Sequence, residues 1–376
     1  MSGKFPIQPI GRFAGASQPV KRPKEFACFS YDDNHEFHLN DSSIKYYYTP
    51  QLGADLSKGY ESFQKLDDSE DGHLDALLKT IMAYESEQGE KIDAEIITWR
   101  GMMTKILGAP FENFDGYAAL THLSHSPMAH DQQLRDERHP ISRIYVASKE
   151  AQHKQQQYRS RRGYKFETLS TLPSIWAETS RDYIEAREDH VVNNKAQYCS
   201  VVRTGIGSSI LCLGGEVDAI WDFKPIEHGK PINWVELKTA LEIRGAKDME
   251  IFHRKLMKFW IQSFLLGVPK IVVGFRDRDG FLVKVDEIET QRIPQTVNAT
   301  PNPSWNADLC VNFAGTFLEW LKQTINDEGV WRIRRLPQTP EIEVFKVEET
   351  GHGDILSEEF KNFRIKLALQ SRESAA

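Results

Sequence analysis

The chain has 376 residues, of which 40% are hydrophobic and 27% charged, so it can bury a large core. Its net charge of −7 excludes a protein that coats nucleic acid by bulk positive charge, though a local basic site stays open. No run approaches the roughly 18 apolar residues of a membrane span, and MSGKFPIQPIGRF lacks the apolar stretch of a signal peptide, so an intracellular chain is expected.

Cys28, Cys199, Cys212 and Cys310 are scattered without CxxC spacing, which suggests neither a disulfide framework nor a zinc site and predicts reduced, mostly buried thiols. Residues 1–25, with four prolines and no periodicity, read as an extended arm, 26–350 as a single domain, and 351–376 as a C-terminal tail or helix. Within the arm, VKRPKE (20–25) fits a short nuclear-import signal, although three basic residues around a proline also suit a solvated face. Strand-like runs follow in EFACFSY (25–31) and IKYYYTP (44–50), then a loop to about residue 70.

Leu74, Leu77, Leu78, Ile81 and Met82 recur at helical spacing, which predicts an amphipathic helix from His73 to about Gln88. DAEIITW (93–99), GMMTKIL (101–107) and, beyond a turn at Asp115-Gly116, ISRIYVA (141–147) read as β-rich. The polar segments 121–140 and 149–162 break periodicity and read as mobile surface. Strands are expected in GYKFETL (163–169), AQYCSVVRT (196–204), SSILCLGGEVDAIWDF (208–223) and INWVELKT (232–239). PKIVVGFRD (269–277) and GFLVKV (280–285) join through a DRDG turn. Two long amphipathic helices, 248–267 and 307–327, end at or before Gly267 and Gly329. With no internal repeat, this is an α/β or mixed α+β chain: mixed sheets flanked by a few long helices.

GGEVDAIWDF (214–223) and WVELKTA (234–240) each place two charges at i, i+2 among apolar neighbours. Strand alternation points Glu216 and Asp218 to one face, and Glu236 and Lys238 likewise, about 7 Å apart. If KPIEHGKP (224–231), with His228 as a turn residue, connects an antiparallel pair, all four groups meet. Partly buried carboxylates would repel one another unless a cation neutralised them, and a divalent metal does so. The solvated face of an edge hairpin fits the same alternation. QYRSRRGYK (157–165), WRIRRL (331–336) and Arg100 with Lys105 are candidates for a local basic site, or ordinary solvated faces; Arg203 is a possible phosphate contact.

Asp, a gap, then Glu-x-Lys across neighbouring strands resembles the PD-(D/E)xK nuclease core, whose hard oxygen ligands suit Mg²⁺ or Mn²⁺. The arginine of TWRG (98–101), GYKFE (163–167), GGEVD (214–218), VELKT (235–239) and FWIQSFLLGVPKIVVGFRD (259–277) together resemble the DXO/Rai family of RNA 5′-end decapping enzymes. QYCSVVRTGIG (197–207) and PINWVELKTALEIR (231–244) are nearest its fungal nuclear branch.

That resemblance implies a PD-(D/E)xK-like core of two mixed sheets in a single catalytic domain. It implies metal ligation by Glu167, Asp218 and Glu236, by the Leu237 carbonyl, and by Glu216 directly or through water. Lys238 would contact the scissile phosphate or the attacking water, Gln262 would orient that water, and Arg100 would reach phosphates of the RNA 5′ end. The implied activities are pyrophosphate release from 5′-triphosphate RNA and removal of the dinucleotide from unmethylated caps, with NAD-cap removal and 5′→3′ exonuclease activity in some members. The implied partner is a nuclear 5′→3′ exoribonuclease, which places the chain in the nucleus. The rival readings are a non-catalytic subunit that stabilises that exoribonuclease and a DNA endonuclease on the same core.

Overall fold

The apolar alternation along the chain builds sixteen strands among the residues that the computed structural model describes. These are 2–59, 62–67, 72–114, 116–124, 143–147, 154–227, 230–350, 353 and 355–373, with backbone alone at 143, 154–161 and 371–373. In chain order the strands are β1 (Ser2–Pro6), β2 (Val20–Tyr31), β3 (Phe37–His38), β4 (Tyr46–Tyr47), β5 (Ile96–Trp99), β6 (Tyr117–Ser124), β7 (Arg143–Ala147) and β8 (Thr171–Leu172). Then come β9 (Gln197–Ile206), β10 (Ser209–Glu216), β11 (Ala219–Ile220), β12 (Trp234–Leu241), β13 (Lys270–Arg276), β14 (Leu282–Glu289), β15 (Val330–Arg335) and β16 (Glu341–Glu348). The α-helices are α1 (Asp75–Gln88), α2 (Arg100–Gly108), α3 (Lys154–Leu169), α4 (Arg181–Glu185), α5 (Ala246–Leu266), α6 (Ile293–Asn298), α7 (Ala307–Thr324) and α8 (Glu358–Glu373).

Among the described residues, ten strands form one mixed sheet in the order β1-β16-β15-β6-β7-β5-β10-β9-β2-β3, and six form a second in the order β14-β13-β12-β11-β4-β8. The largest core lies between the sheets, where Met103, Ile106, Leu256, Trp260, Ile261 and Phe317 of α2, α5 and α7 pack against both. A second core joins α1 and α8 to the outer face of the ten-stranded sheet, and a third joins Phe166 and Leu169 of α3 to the outer face of the six-stranded one. This is the mixed α/β architecture the sequence implied, with helices between the sheets and on both outer faces.

Several elements differ from the sequence reading, each for a physical reason. Residues 1–25 are extended, but as strands: β1 pairs with β16, and β2 begins at Val20 and pairs with β9, so VKRPKE lies in a sheet edge. IKYYYTP contributes only the short β4. GMMTKIL is helical, because Met102, Met103, Ile106 and Leu107 bury a 3.6-period face. GYKFETL closes helix α3, where Phe166 and Leu169 at i, i+3 supply the buried stripe. The polar segments are in part regular: Thr121–Ser124 completes β6 and 154–162 lies in α3. Asp115, 125–142, 148–153, His228 and Gly229 lie outside the described residues.

Of the two long helices, α5 stops at Gly267 (φ 72°), whose N–H caps on Ser263 and Phe264 carbonyls, whereas α7 ends at Thr324, before the expected 327, with Ile325 rather than a glycine as its C-cap. The four cysteines are free, three of them buried. No described helix is long and apolar enough to cross a membrane. WRIRRL is no basic face: Arg335 is buried, donating to the Ala109 carbonyl at 3.1 Å and to Asn113 Oδ1 at 3.1 Å, and Arg334 pairs with Glu343.

Candidate active site

SSILCLGGEVDAIWDF does not form one strand. β10 ends at Glu216, the Val217 N–H is taken by the Tyr198 carbonyl at 3.0 Å, and β11 begins at Ala219 in the other sheet. Glu216 and Asp218 therefore flank the crossover between the two sheets rather than sharing a strand face. The expected antiparallel pairing survives only as Ala219↔Val235 and Ile220↔Trp234. β12 is an interior strand, parallel to β13 on its other side, which rules out the solvated edge hairpin.

Because β11 stops pairing at Val235, the same edge of β12 is without a strand neighbour beyond it, and Asp218 Oδ2 accepts the Leu237 N–H at 2.6 Å. In a strand the carbonyl of a residue points to the same side as its N–H, so the Leu237 carbonyl also faces Asp218. Glu236 is fully buried. Its two oxygens accept from Lys238 Nζ at 2.6 Å and from Arg100 Nη1 at 3.3 Å.

Arg100 reaches Glu236 because β5 runs into α2 without a loop and lies against β10, Trp99 opposite Gly214. The double glycine of GGEVD permits this approach. A Cβ on Gly214 would lie 2.8 Å from the Trp99 ring, and one on Gly215 would lie 2.9 Å from Arg100 Cβ. Glu167 arrives from α3, not from a strand. Gly274 on β13 lets the Phe166 ring sit where a methyl group would be, which seats α3 against the sheet. Gln262, on the same helix as Trp260 and Ile261, is half-buried, and its amide makes no side-chain hydrogen bond among the described residues.

The electrostatics separate one carboxylate from the other three. Against the cost of burial, Lys238 and then Arg100 hold the Glu236 carboxyl below the usual carboxylate range. Asp218 is pushed up to about 7 by burial and by Glu236. Burial, then Asp218 and Glu216, raise Glu167 well above its usual value, and burial also raises Glu216. Positive charge is in short supply: two of the nearby cations, Lys238 and Arg100, are already spent on Glu236.

Sequence reasoning missed two neighbours of this cluster. Lys45, beside β4, acts on both Glu167 and Glu216, and Tyr164 is pushed up to about 12 by burial and by Glu167, Glu216 and Asp218. A lone lysine in an aromatic run and a tyrosine one helical turn before Glu167 were their only signals. Arg203 is not at the site: it pairs with Asp93 and donates to the Asp93 carbonyl at 2.7 Å. Lys165 of the basic stretch is buried and donates to the Glu188 carbonyl at 2.7 Å. A separate group, Asp32, Glu36 and His38, gathers its donor atoms within 4.8 Å, but Asp32 is occupied by His38 and by the N–H groups of Asn34 and Glu36.

A family model described as RAI1 like PD-(D/E)XK nuclease matches residues 21–361. The chain is 67% identical over 382 residues to the decapping nuclease RAI1 of Gibberella zeae, covering 98% of each. It is 58% identical over 375 residues to that of Neurospora crassa, covering 99% of this chain and 90% of the relative. Among solved structures it is similar to Candida albicans Rai1 in complex with pU5 and Mn²⁺, with a TM-score of 0.84 and 31% identity over 97% of this chain and 100% of that one. It is also similar to Scheffersomyces stipitis Rai1 in complex with (3′-NADP)⁺ and calcium, at a TM-score of 0.79 and 29% identity over 93% and 98%. The chain belongs to the RAI1-like family of PD-(D/E)XK nucleases.

Proposed function

We propose that this RNA-decapping nuclease hydrolyses RNA 5′ ends with a divalent metal, Mg²⁺ or Mn²⁺, held by Glu167, Glu216, Asp218, Glu236 and the Leu237 carbonyl. The observation that carries the reading is the charge imbalance: the fields of Asp218 and Glu216 act on Glu167 beside the crossover and all three carboxyls are raised, while the cations Lys238 and Arg100 pair with Glu236. Hard carboxylate and carbonyl oxygens short of positive charge fit a hard divalent cation. When bound, the cation supplies Lewis acidity toward phosphoryl oxygens and lowers the pKa of water.

The chain's own residues do the rest. On this reading Lys238, kept charged by Glu236 against the cost of burial, neutralises charge growing on the attacked phosphate. Gln262 offers an uncommitted amide to orient the attacking water. Arg100, its fork only partly used by Glu236, keeps donors for a 5′ phosphate. On this reading the enzyme releases pyrophosphate from 5′-triphosphate RNA and a dinucleotide from unmethylated caps, and acts on NAD caps. It does so in the nucleus beside a 5′→3′ exoribonuclease whose product-to-substrate chemistry it feeds.

The test offers purified protein triphosphate, unmethylated-cap, methylated-cap and NAD-cap RNAs with Mg²⁺ or Mn²⁺, with 5′-monophosphate RNA reporting exonuclease activity. Metal-dependent release from the first two and little from the methylated cap is expected. Undiminished hydrolysis by Asp218→Ala would overturn the site assignment. Pull-down of an exoribonuclease by the inactive Asp218→Ala protein separates the partner role from the chemistry.

A further inference from the structure

Lys45 sits immediately before β4, whose Tyr46 is opposite Ile220, and the Lys45 carbonyl accepts the Ile220 N–H at 2.9 Å. That hydrogen bond places Lys45 beside the crossover segment that carries Glu216 and Asp218. Tyr46 packs toward the core between the sheets and Tyr47 toward the α3 core, so alternation puts Lys45 on the α3 side with Glu167. Its side chain is half-buried. Unlike Lys238 and Arg100, its ammonium makes no hydrogen bond or ion pair among the described residues. A half-buried lysine held beside carboxylates yet bound to none of them has its donors in reserve.

We infer that Lys45 is a substrate-binding cation, which takes a phosphate oxygen of the RNA 5′ end from the side of Glu167 while Arg100 and Lys238 act from the side of Glu236. This rests on the proposed hydrolysis for the identity of the substrate, but not for the contact itself. The field of Lys45 is also the leading positive influence on both Glu167 and Glu216, consistent with its place at the cluster. A point charge with three rotatable donors suits a phosphate whose oxygens shift between ground and transition state.

The experiment compares wild type, Lys45→Met and Lys45→Arg. Binding of 5′-triphosphate and 5′-hydroxyl RNA is measured by fluorescence anisotropy in Ca²⁺, and hydrolysis separately in Mn²⁺. Lys45→Met is expected to weaken binding of the triphosphate RNA about ten- to a hundredfold, the range of one charge-assisted hydrogen bond, with KM rising in parallel and 5′-hydroxyl RNA unaffected. Lys45→Arg is expected to restore most of the loss. Affinity for Mn²⁺ alone, read by calorimetry, should stay level or tighten, because a like charge has been removed. Unchanged triphosphate binding and KM, with only metal affinity altered, would overturn the inference and leave Lys45 a neutraliser of carboxylates. A wild type that binds triphosphate RNA through Lys45 without hydrolysing it would sink the proposed activity and leave this contact standing.

Discussion

Strand β16 carries Glu341-Ile342-Glu343 and strand β12 carries Glu236-Leu237-Lys238, the same alternation of charge around a buried aliphatic residue. In β16 the carboxylates lie toward water: Glu343 accepts from Arg334 at 2.7 Å and pairs with Lys4 at 3.4 Å, and Glu341 pairs with Lys4. Arg334, first among several partners, draws the Glu343 carboxyl below its usual range. At β12 the cations Lys238 and Arg100 converge on one buried carboxylate, and the neighbouring Asp218, Glu216 and Glu167 are left with raised pKa values. Alternating charge in a strand is therefore ambiguous until the cations are counted. Where they match the carboxylates it is a solvated ladder, and where they fall short it is a site waiting for positive charge.

The sharpest way to break that comparison is to delete one carboxylate from each region. Glu236→Ala strands two cations in the interior and is expected to lower the unfolding free energy by about 3–5 kcal/mol in urea. Glu343→Ala should leave the midpoint close to wild type, because exposed ion pairs contribute little. Equal effects would mean that the buried pair is no different from the ladder. Glu236→Gln, which keeps the shape, should still cost activity on the order of 10²–10³-fold.

Metal is the second lever. Mn²⁺ at a hundred times its Kd should stabilise wild type by about 2.7 kcal/mol, raising Tm, and this gain should largely vanish in Asp218→Asn. Glu343→Ala should retain it in full. A smaller effect separates the regions by sign. The folded state holds the Asp218 proton more tightly than the unfolded chain, so without metal its contribution is present below the unfolded pKa of 3.8 and lost as pH rises through about 7. The difference in stability between wild type and Asp218→Asn should therefore shift by about 1–2 kcal/mol between pH 4 and 8. Glu343, with its lowered pKa, contributes stability at neutral pH that is lost on acidification, the opposite direction.

How legible the site was in the sequence depended on how local its causes are. Glu236, Lys238 and Gln262 stood on elements whose periodicity is unmistakable, β12 and α5, and their placement followed. GYKFETL and GMMTKIL misled because a short apolar run fits both periods. Phe166 with Leu169, and Met102 with Ile106, declare a helix only once the sheet they pack on is known. The break of GGEVDAIWDF into two sheets is tertiary, since nothing in its composition distinguishes a strand from a crossover. Lys45 was invisible for the same reason: its place depends on β4 pairing with β11, far away in sequence.

The smallest predicted effect tests whether Glu167 belongs to the site through packing rather than through its own chemistry. Gly274 faces Phe166 so closely that a Cβ would overlap the ring. Gly274→Ala must therefore push α3 outward, at a cost of about 1 kcal/mol, the low end for overpacking because an aromatic ring can tilt. That displacement carries Glu167, the next residue, away from Asp218 and Glu216. Mn²⁺ affinity should fall several-fold while the β16 ladder and its response to Glu343→Ala stay unchanged. Adding Phe166→Leu makes room for the new methyl group, so the double variant should recover metal affinity even though it loses buried area. Recovery of affinity without recovery of stability would show that α3 contributes to the site as a lever arm. A double variant as weak for metal as Gly274→Ala alone would instead mean that Phe166 itself, and not the spacing it sets, orients the glutamate.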